Sequence, residues 1–197
     1  MTIIRTIRKP IRTAFAALAI AAVPAAAIAV PALAEGTKTA SSAATACPTG
    51  WGSLPEANSR YGTAPLVDVR TGRHTCFDRL VFDIAGKAPG YSARYVTNVY
   101  QDGSGQLVPL RGGAKLELVL RAPAYNDAGR STYTPANRRE LTNVTGYTTF
   151  RQVAYAGSFE GQTTVGLGVR ARLPFRVFTL AGPGTHSRVV VDVAHSW

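Results

Sequence analysis

The stretch that decides the fold is residues 78–85, Asp-Arg-Leu-Val-Phe-Asp-Ile-Ala, which recurs near the end of the sequence as residues 187–194, Ser-Arg-Val-Val-Val-Asp-Val-Ala. The apolar positions of both copies hold Leu, Val, Phe and Ile, a composition typical of β-strands. Successive side chains of a strand point to opposite faces, so each copy has one apolar face and one mixed face. The apolar faces hold Leu80, Phe82 and Ile84 in the first copy, and Val189, Val191 and Val193 in the second. We expect two strands that turn these faces into one shared core.

The mixed faces carry charge at matching positions: Arg79, Val81 and Asp83, and then Arg188, Val190 and Asp192. Antiparallel pairing with Val81 opposite Val190 would bring the arginine of each strand opposite the aspartate of the other. Such cross-strand pairs contribute about 0.2–1 kcal/mol each and would fix the register. If the two strands lie in different sheets, the same charged rows are free to bind a ligand. Both interpretations stay open at this point.

Strand patterns recur at short intervals between residues 66 and 194, with turn residues between them. The predicted strands cover residues 66–70, 79–85, 92–100, 107–110, 115–121, 150–156, 163–172, 175–180 and 188–194. No window of a dozen residues after Glu35 shows a helical stripe. Many short strands without helices are typical of an all-β sandwich or barrel.

The first 34 residues have the pattern of a signal peptide. Four cations, Arg5, Arg8, Lys9 and Arg12, precede an Ala-rich apolar segment, and Ala32-Leu33-Ala34 offers small residues at a cleavage site. Two prolines and the dominance of Ala argue against a stable membrane span. We predict a cleaved signal peptide over 1–34, a secreted protein, and a disordered linker over the small and polar residues 35–46.

Charge and cysteine content limit the partners. Without the four leader cations, the 22 Lys and Arg become 18, against 11 Asp and Glu. A basic surface attracts the phosphates and carboxylates of wall polymers or lipid head groups. The alternative is that the positive charge only keeps the protein soluble. Nucleic acid is not expected as a partner outside the cell.

Two cysteines in an exported chain favour one disulfide, Cys47–Cys76, which would stabilise the fold by about 3–4 kcal/mol. Two thiols are too few for a zinc site.

A long polar segment, residues 122–140, interrupts the strand patterns and carries Tyr125, Arg130, Tyr133, Arg138 and Arg139. Loops of this length in compact domains are usually functional or disordered. Tyrosine and arginine side chains can stack on and hydrogen-bond to a sugar or a peptide. The alternative is a surface loop packed by its own tyrosines.

Catalytic patterns are weak. Neither Gly103-Ser104-Gly105 nor Gly157-Ser158-Phe159 forms a nucleophile elbow, and the three histidines lack metal-ligand spacing. Residues 166–171, Gly-Leu-Gly-Val-Arg-Ala, match a dinucleotide fingerprint in letters, but Pro174 follows where a helix should run. We predict a strand there whose small residues permit close packing. We predict no enzyme, no cofactor and no metal.

The sequence resembles a known family. The strand at residues 79–84 followed by Gly86 and Pro89-Gly90-Tyr91, together with the closing strand at 188–193, resembles an AMIN-type domain. Residues 133–141, Tyr-Thr-Pro-Ala-Asn-Arg-Arg-Glu-Leu, and 159–170 resemble the exported AMIN-like domain proteins of high-GC Gram-positive bacteria. The resemblance covers 47–197. It implies a single β-sandwich domain of two antiparallel sheets, non-catalytic and attached to peptidoglycan, with the outward charged rows at matching positions.

We therefore expect a secreted cell-envelope module that binds peptidoglycan or another anionic wall polymer, with no membrane span after processing. The candidate ligand-binding residues are Arg79, Asp83, Arg188 and Asp192 on the strands, and Tyr125, Arg130, Tyr133, Arg138 and Arg139 on the loop. The rival hypothesis is an accessory or inhibitory factor that docks on an envelope enzyme through residues 122–140.

Overall fold

The computed structural model describes residues 46–197, in which the regular structure is β-strand. The strands are β1 (Glu56–Asn58), β2 (Leu66–Arg73), β3 (Phe77–Ile84), β4 (Tyr91–Val96), β5 (Val99–Tyr100), β6 (Leu107–Val108), β7 (Ala114–Leu120), β8 (Phe150–Phe159), β9 (Gln162–Val169), β10 (Phe175–Ala181) and β11 (Ser187–Ala194). The predicted signal peptide, 1–34, lies outside the described residues, as does the predicted linker, 35–46, apart from its last residue. No helix within residues 46–197 has the length and hydropathy needed to cross a bilayer.

Two antiparallel sheets form the domain. The five-stranded sheet has the order β1-β4-β7-β9-β8, and the four-stranded sheet has the order β10-β11-β3-β2. One apolar core joins them, because it takes Leu116, Leu118 and Leu167 from the first sheet and Leu80, Phe82 and Val191 from the second. The predicted all-β sandwich of two antiparallel sheets is confirmed.

The two similar sequence copies are neighbouring strands, β3 and β11, at the centre of the four-stranded sheet. They pair antiparallel with Val81 opposite Val190, which is the predicted register. Leu80, Phe82 and Ile84 are fully buried in the core, as are the valines that face it from β11. The alternation fixes this register because a slip of one residue would turn each apolar face outward.

One predicted strand, residues 92–100, is divided in the structure. Its first part is β4, in the five-stranded sheet, whereas Val99–Tyr100 forms β5 and pairs with β6 in a separate two-stranded hairpin. The short β1, which pairs with β4, was not predicted because three residues do not make a recognisable alternation.

The chain that follows β6 packs directly on the outer face of the five-stranded sheet. A Cβ atom added to Gly168 of β9 would lie 2.0 Å from the carbonyl oxygen of Arg111, and one added to Gly166 would lie 2.7 Å from Leu110 Cδ1. The predicted close packing at these small residues is confirmed. It holds Arg111 against the sheet, next to the long loop.

The predicted disulfide is present. Cys47 and Cys76 are bonded, with their Cα atoms 5.3 Å apart. Gly52, five residues after Cys47, forms a β-bridge with Phe175 at the start of β10. The bond therefore fastens the N-terminal segment of the described chain to the turn between β2 and β3.

Candidate functional site

The outward face of the four-stranded sheet holds a buried carboxylate between two arginines. Asp192 of β11 is completely buried. Its Oδ1 accepts a hydrogen bond from Arg79 Nε at 2.6 Å, and its Oδ2 accepts one from Arg176 Nη2 at 2.8 Å. The predicted opposition of Arg79 and Asp192 is thus present as an ion pair, and Arg176, from β10, is a partner that the sequence did not single out. Both carboxylate oxygens are used within the protein.

Aromatic rings cover these two guanidinium groups. The Arg176 guanidinium carbon lies 4.4 Å from the Trp51 ring centroid and 4.8 Å from that of Phe178. The Arg79 guanidinium carbon lies 5.1 Å from the Phe77 ring centroid. Cation–π contacts of this kind are attractive and become stronger as water is excluded. The rings and guanidinium groups together form a structural layer over the sheet.

The second pair of charges on this face is arranged differently. Asp83 lies opposite Arg188 in the register, as predicted, but its carboxylate accepts hydrogen bonds from Arg70 Nε at 2.6 Å and from Nη2 at 3.0 Å. Arg70 lies on β2, the other neighbour of β3. Arg188 instead donates to the Ala181 carbonyl at 3.2 Å, and its Nε atom is buried without a partner in the described structure.

The long loop runs along one open side of the sandwich, between the edge strands β2 and β8. The Tyr155 amide of β8 donates to the Arg138 carbonyl at 2.7 Å, and the Leu141 amide donates to the Val153 carbonyl at 2.8 Å. On the other side, the Thr132 hydroxyl donates to the Leu66 carbonyl at 2.7 Å. The loop therefore covers backbone groups of an edge strand, which would otherwise be open to pairing with other chains.

The two candidate tyrosines of the loop are half-buried. Tyr133 packs on the core and meets Tyr155 edge-to-face, with ring centroids 6.0 Å apart. Burial, together with the nearby Asp68, raises the pKa of Tyr133 to about 12. The Tyr125 hydroxyl accepts a hydrogen bond from the Gly161 amide at 2.9 Å. These rings support the loop, as in a loop packed by its own tyrosines.

The three candidate arginines of the loop are exposed. Their side chains make no hydrogen bond to other described residues, although the Arg138 guanidinium carbon lies 5.0 Å from the Tyr155 ring centroid. Gln152, which is 4% exposed, connects this region to the chain after β6. Its Nε2 donates to the Arg139 carbonyl at 2.9 Å, and its Oε1 accepts from the Arg111 amide at 2.8 Å. Gln152 thus joins the backbone of Arg111 to the backbone of Arg139.

A polar groove of about 410 Å³ lies where these segments meet. We call it the Tyr147 groove; its lining residues are Arg111, Glu140, Asn143, Val144, Thr145, Gly146, Tyr147, Phe150 and Arg151. Arg151 Nη1 donates to the Phe150 carbonyl at 2.9 Å and to the Tyr147 carbonyl at 3.2 Å. Arg73 approaches the Tyr147 ring, with its guanidinium carbon 6.0 Å from the ring centroid.

The charge around the Tyr147 groove is positive. Arg111 and Arg151 line the groove, Arg73 approaches the Tyr147 ring, and the one carboxylate in the lining is Glu140. Glu140 binds Arg111, whose side chain remains 61% exposed, and this hydrogen bond raises the pKa of the guanidinium. Guanidinium groups bind carboxylates and phosphates with paired, charge-assisted hydrogen bonds. The groove is therefore suited to an anionic ligand.

A buried carboxylate, Asp78 at the start of β3, is another residue that the sequence analysis did not identify. Its Oδ2 accepts hydrogen bonds from the amides of Thr149 at 2.6 Å and Phe150 at 3.1 Å, and its Oδ1 lies 3.2 Å from His195 Nε2. These contacts fix the start of β8 beside the groove. Among residues 46–197, no cluster of His, Cys, Asp or Glu could hold a metal ion.

Comparison with known proteins identifies the family. A family model described as the AMIN-like domain matches residues 64–195, which is more than half of the chain and contains β2 to β11. The sequence matches no curated protein and no solved structure. AMIN-like domains are modules associated with the cell envelope. With a match over most of both sheets, the chain belongs to the AMIN-like domain family.

Proposed function

We propose that this protein is a secreted, non-catalytic module that attaches to peptidoglycan or another anionic wall polymer through the Tyr147 groove. The observation that supports this most is the set of three arginines, Arg73, Arg111 and Arg151, around the one carboxylate that lines an open groove. The guanidinium groups would bind carboxylates of peptide stems or phosphates of glycopolymers. One face of the Tyr147 ring stacks on Phe150, with ring centroids 5.8 Å apart, and the part of the ring left exposed would contact a sugar.

The groove combines fixed and free donors. Arg151 is held by backbone carbonyls, and Arg111 is held by Glu140 and by the Arg151 carbonyl at 3.0 Å. Beside the groove, on the segment that leads to Glu140, Arg138 and Arg139 have exposed guanidinium groups without hydrogen bonds to other described residues. Fixed donors lower the entropy cost of binding, and free ones can follow an irregular polymer. A volume of about 410 Å³ lies within the range of roughly 300–1,000 Å³ that is usual for ligand pockets.

The direct test is co-sedimentation of the purified mature protein with isolated cell walls. We expect the protein to pellet with the walls at low ionic strength and to be released at high salt, because the Debye length falls from about 10 Å at 0.1 M to about 3 Å at 1 M. If the protein stays in the supernatant at low salt, the proposal is wrong.

Single substitutions separate the groove from general charge. Arg138→Gln and Arg139→Gln should each weaken wall binding about fivefold, the equivalent of roughly 1 kcal/mol for an exposed ion pair. Arg130→Gln removes the same charge from the same loop and serves as the matched control, because Arg130 lies at the loop tip. Equal weakening by all three substitutions would show that net charge, and not this groove, holds the polymer.

The second candidate function is docking on an envelope enzyme, as an accessory or inhibitory factor, through residues 122–140. The tip of the loop, residues 127–131, is exposed throughout. It is shaped by Asn126, whose Oδ1 accepts hydrogen bonds from the amides of Ala128 at 3.1 Å and Arg130 at 3.0 Å. A preformed tip of this kind is suited to protein contacts.

Cross-linking in intact cells tests this second candidate. One protein partner, recovered after digestion of the wall and lost on Arg130→Gln, would support docking through the tip. Cross-linked material that disappears on wall digestion would contradict it and would support the polymer.

A further inference from the structure

A second cleft lies at the end of the sandwich where β3 finishes and β11 begins. It is a hollow of about 590 Å³ between Arg60, Tyr61 and Lys87 on one side and, on the other, residues 179–187, which are the end of β10, the turn after it and the first residue of β11. A second hollow of about 410 Å³ adjoins it and is also lined by Tyr61 and Lys87. We call both together the Tyr61 cleft. Tyr61 and Lys87 stand between its two parts.

The lining of the Tyr61 cleft is aromatic and cationic. Tyr61 is 76% exposed, although large apolar side chains are usually covered. The Arg121 guanidinium carbon lies 5.1 Å from the Tyr61 ring centroid. Arg60, Lys87 and Arg121 form no ion pair within the described residues, and no aspartate or glutamate lines either hollow. Arg60 and Lys87 line the cleft and Arg121 stacks on the Tyr61 ring, so three cations without an ion pair among the described residues lie near one exposed ring.

The backbone frame of the cleft is held tightly, whereas these side chains are free. The Gly90 amide donates to the Arg60 carbonyl at 2.6 Å, and a Cβ atom added to Gly90 would lie 2.2 Å from that oxygen. On the opposite wall the Ser187 hydroxyl donates to the Gly86 carbonyl at 2.6 Å. A fixed frame that carries cations without ion pairs is suited to an anionic ligand.

We propose that the Tyr61 cleft is a second binding site and that it takes a phosphorylated saccharide. The exposed tyrosine face and the apolar groups of Leu180 and Ala64 fit the CH face of a sugar ring. Three cations fit a phosphate, which carries a charge near −2 and three acceptor oxygens at neutral pH. A neutral sugar would leave the cations unused, and a single carboxylate would engage fewer of them.

This site is separate from the Tyr147 groove. Phe150 lines the groove, and its amide donates to Asp78 at the start of β3. Gly86 lines the cleft and lies just past the end of β3. At about 3.3 Å per residue the two lie roughly 25 Å apart along that strand. The proposal therefore does not rest on wall binding through the groove, and a separate set of substitutions tests it.

The probe is glucose 6-phosphate, added to the ¹⁵N-labelled mature protein and followed by amide chemical shifts. We expect saturable shifts at residues 60–64 and 86–88. Inorganic phosphate, glucuronate and glucose should each bind at least tenfold more weakly. Equal affinity for inorganic phosphate would reduce the site to a simple anion site and overturn the saccharide assignment, and shifts confined to the Tyr147 groove would overturn the location.

Matched substitutions complete the test. Tyr61→Ala and Lys87→Gln should each reduce the affinity for glucose 6-phosphate at least tenfold. Tyr100→Ala removes another exposed tyrosine, and Arg139→Gln removes an exposed cation of the long loop, so both should leave the affinity unchanged. Unchanged binding in Tyr61→Ala and Lys87→Gln would refute the proposal, as would equal loss in the controls. All four side chains are exposed, so each variant should retain the wild-type amide spectrum, which confirms its fold.

Discussion

At the scale of single residues, Asp192 holds together two arginines that would otherwise repel each other beneath three aromatic rings. Its side chain has no exposed surface, whereas those of Arg79 and Arg176 are 24% and 40% exposed. Burying a carboxylate costs several kcal/mol, which its two partners offset. The loss of one charge from such a group therefore matters more than the loss of an exposed ion pair.

We expect Asp192→Asn to lower the free energy of unfolding by about 3 kcal/mol, because two guanidinium groups lose their counter-charge in a covered layer. Asp83→Asn is the matched variant on the neighbouring strand. Its carboxylate is 18% exposed and its partner Arg70 is 51% exposed, so the expected loss is below about 1 kcal/mol. Urea denaturation of both variants measures the difference, and equal losses would contradict the special role of Asp192.

At the scale of elements, the loop between β7 and β8 is a wall of the sandwich as well as the carrier of the candidate arginines. It satisfies backbone groups of β8 and places Tyr133, Leu141 and Tyr147 on the core. Tyr133 packs on the core, whereas the side chains of Arg130, Arg138 and Arg139 are exposed. The loop is therefore packed by its own tyrosines, and a binding role for its exposed arginines stays a prediction.

The stability that Tyr133 contributes to the packed loop should be lost at alkaline pH. The pKa of Tyr133 is raised to about 12, so the folded state disfavours the ionised ring. Its contribution to stability is complete below the ordinary tyrosine pKa of about 10 and is lost as the pH rises from there to about 12. Urea denaturation across this range should show a smaller decrease for Tyr133→Phe than for the wild type. Identical slopes would mean that Tyr133 does not anchor the loop.

At the scale of the whole molecule, a disulfide and two non-strand segments complete the two sheets. The chain after β6 covers the outer face of the five-stranded sheet, and the long loop covers one open side. The Cys47–Cys76 bond holds the N-terminal segment, which brings Trp51 onto Arg176. Removal of the bond would free this segment and open the aromatic layer.

We expect the double variant Cys47→Ala/Cys76→Ala to lose about 3–4 kcal/mol of unfolding free energy, because the bond joins residues 29 apart in sequence. Thermal unfolding with and without a reductant is the measurement. The reductant should lower the Tm of the wild type to that of the variant and leave the variant unchanged. A wild-type Tm that does not respond to complete reduction would show that the bond does not stabilise the fold.

Much of the architecture could be predicted from the sequence because it depends on local patterns. The alternation in residues 78–85 and 187–194 indicates which side chains enter the core, and the antiparallel register with Val81 opposite Val190 follows from matching charges. The small residues Gly166 and Gly168 indicated a close approach of other chain segments. An even number of cysteines indicated the disulfide.

The contacts at the candidate sites could not be predicted from such sequence patterns. The alternation of a strand assigns each side chain to a face, but only the order of strands decides which neighbours it meets there. Because β3 lies between β2 and β11, Asp83 has neighbours on both strands. Its carboxylate binds Arg70 of β2 and not Arg188 of β11. Gln152 gave no signal, since its role is to join two segments that are distant in sequence.

The sequence by itself determined most of the strands, their buried faces and the disulfide, because the strands follow from alternating residue types along the chain and the disulfide follows from an even number of cysteines. Only the tertiary structure decided where charge collects. The Tyr147 groove and the Tyr61 cleft take side chains from several separate segments. The electrostatic potential in each depends on the distances between these side chains, which no sequence pattern contains.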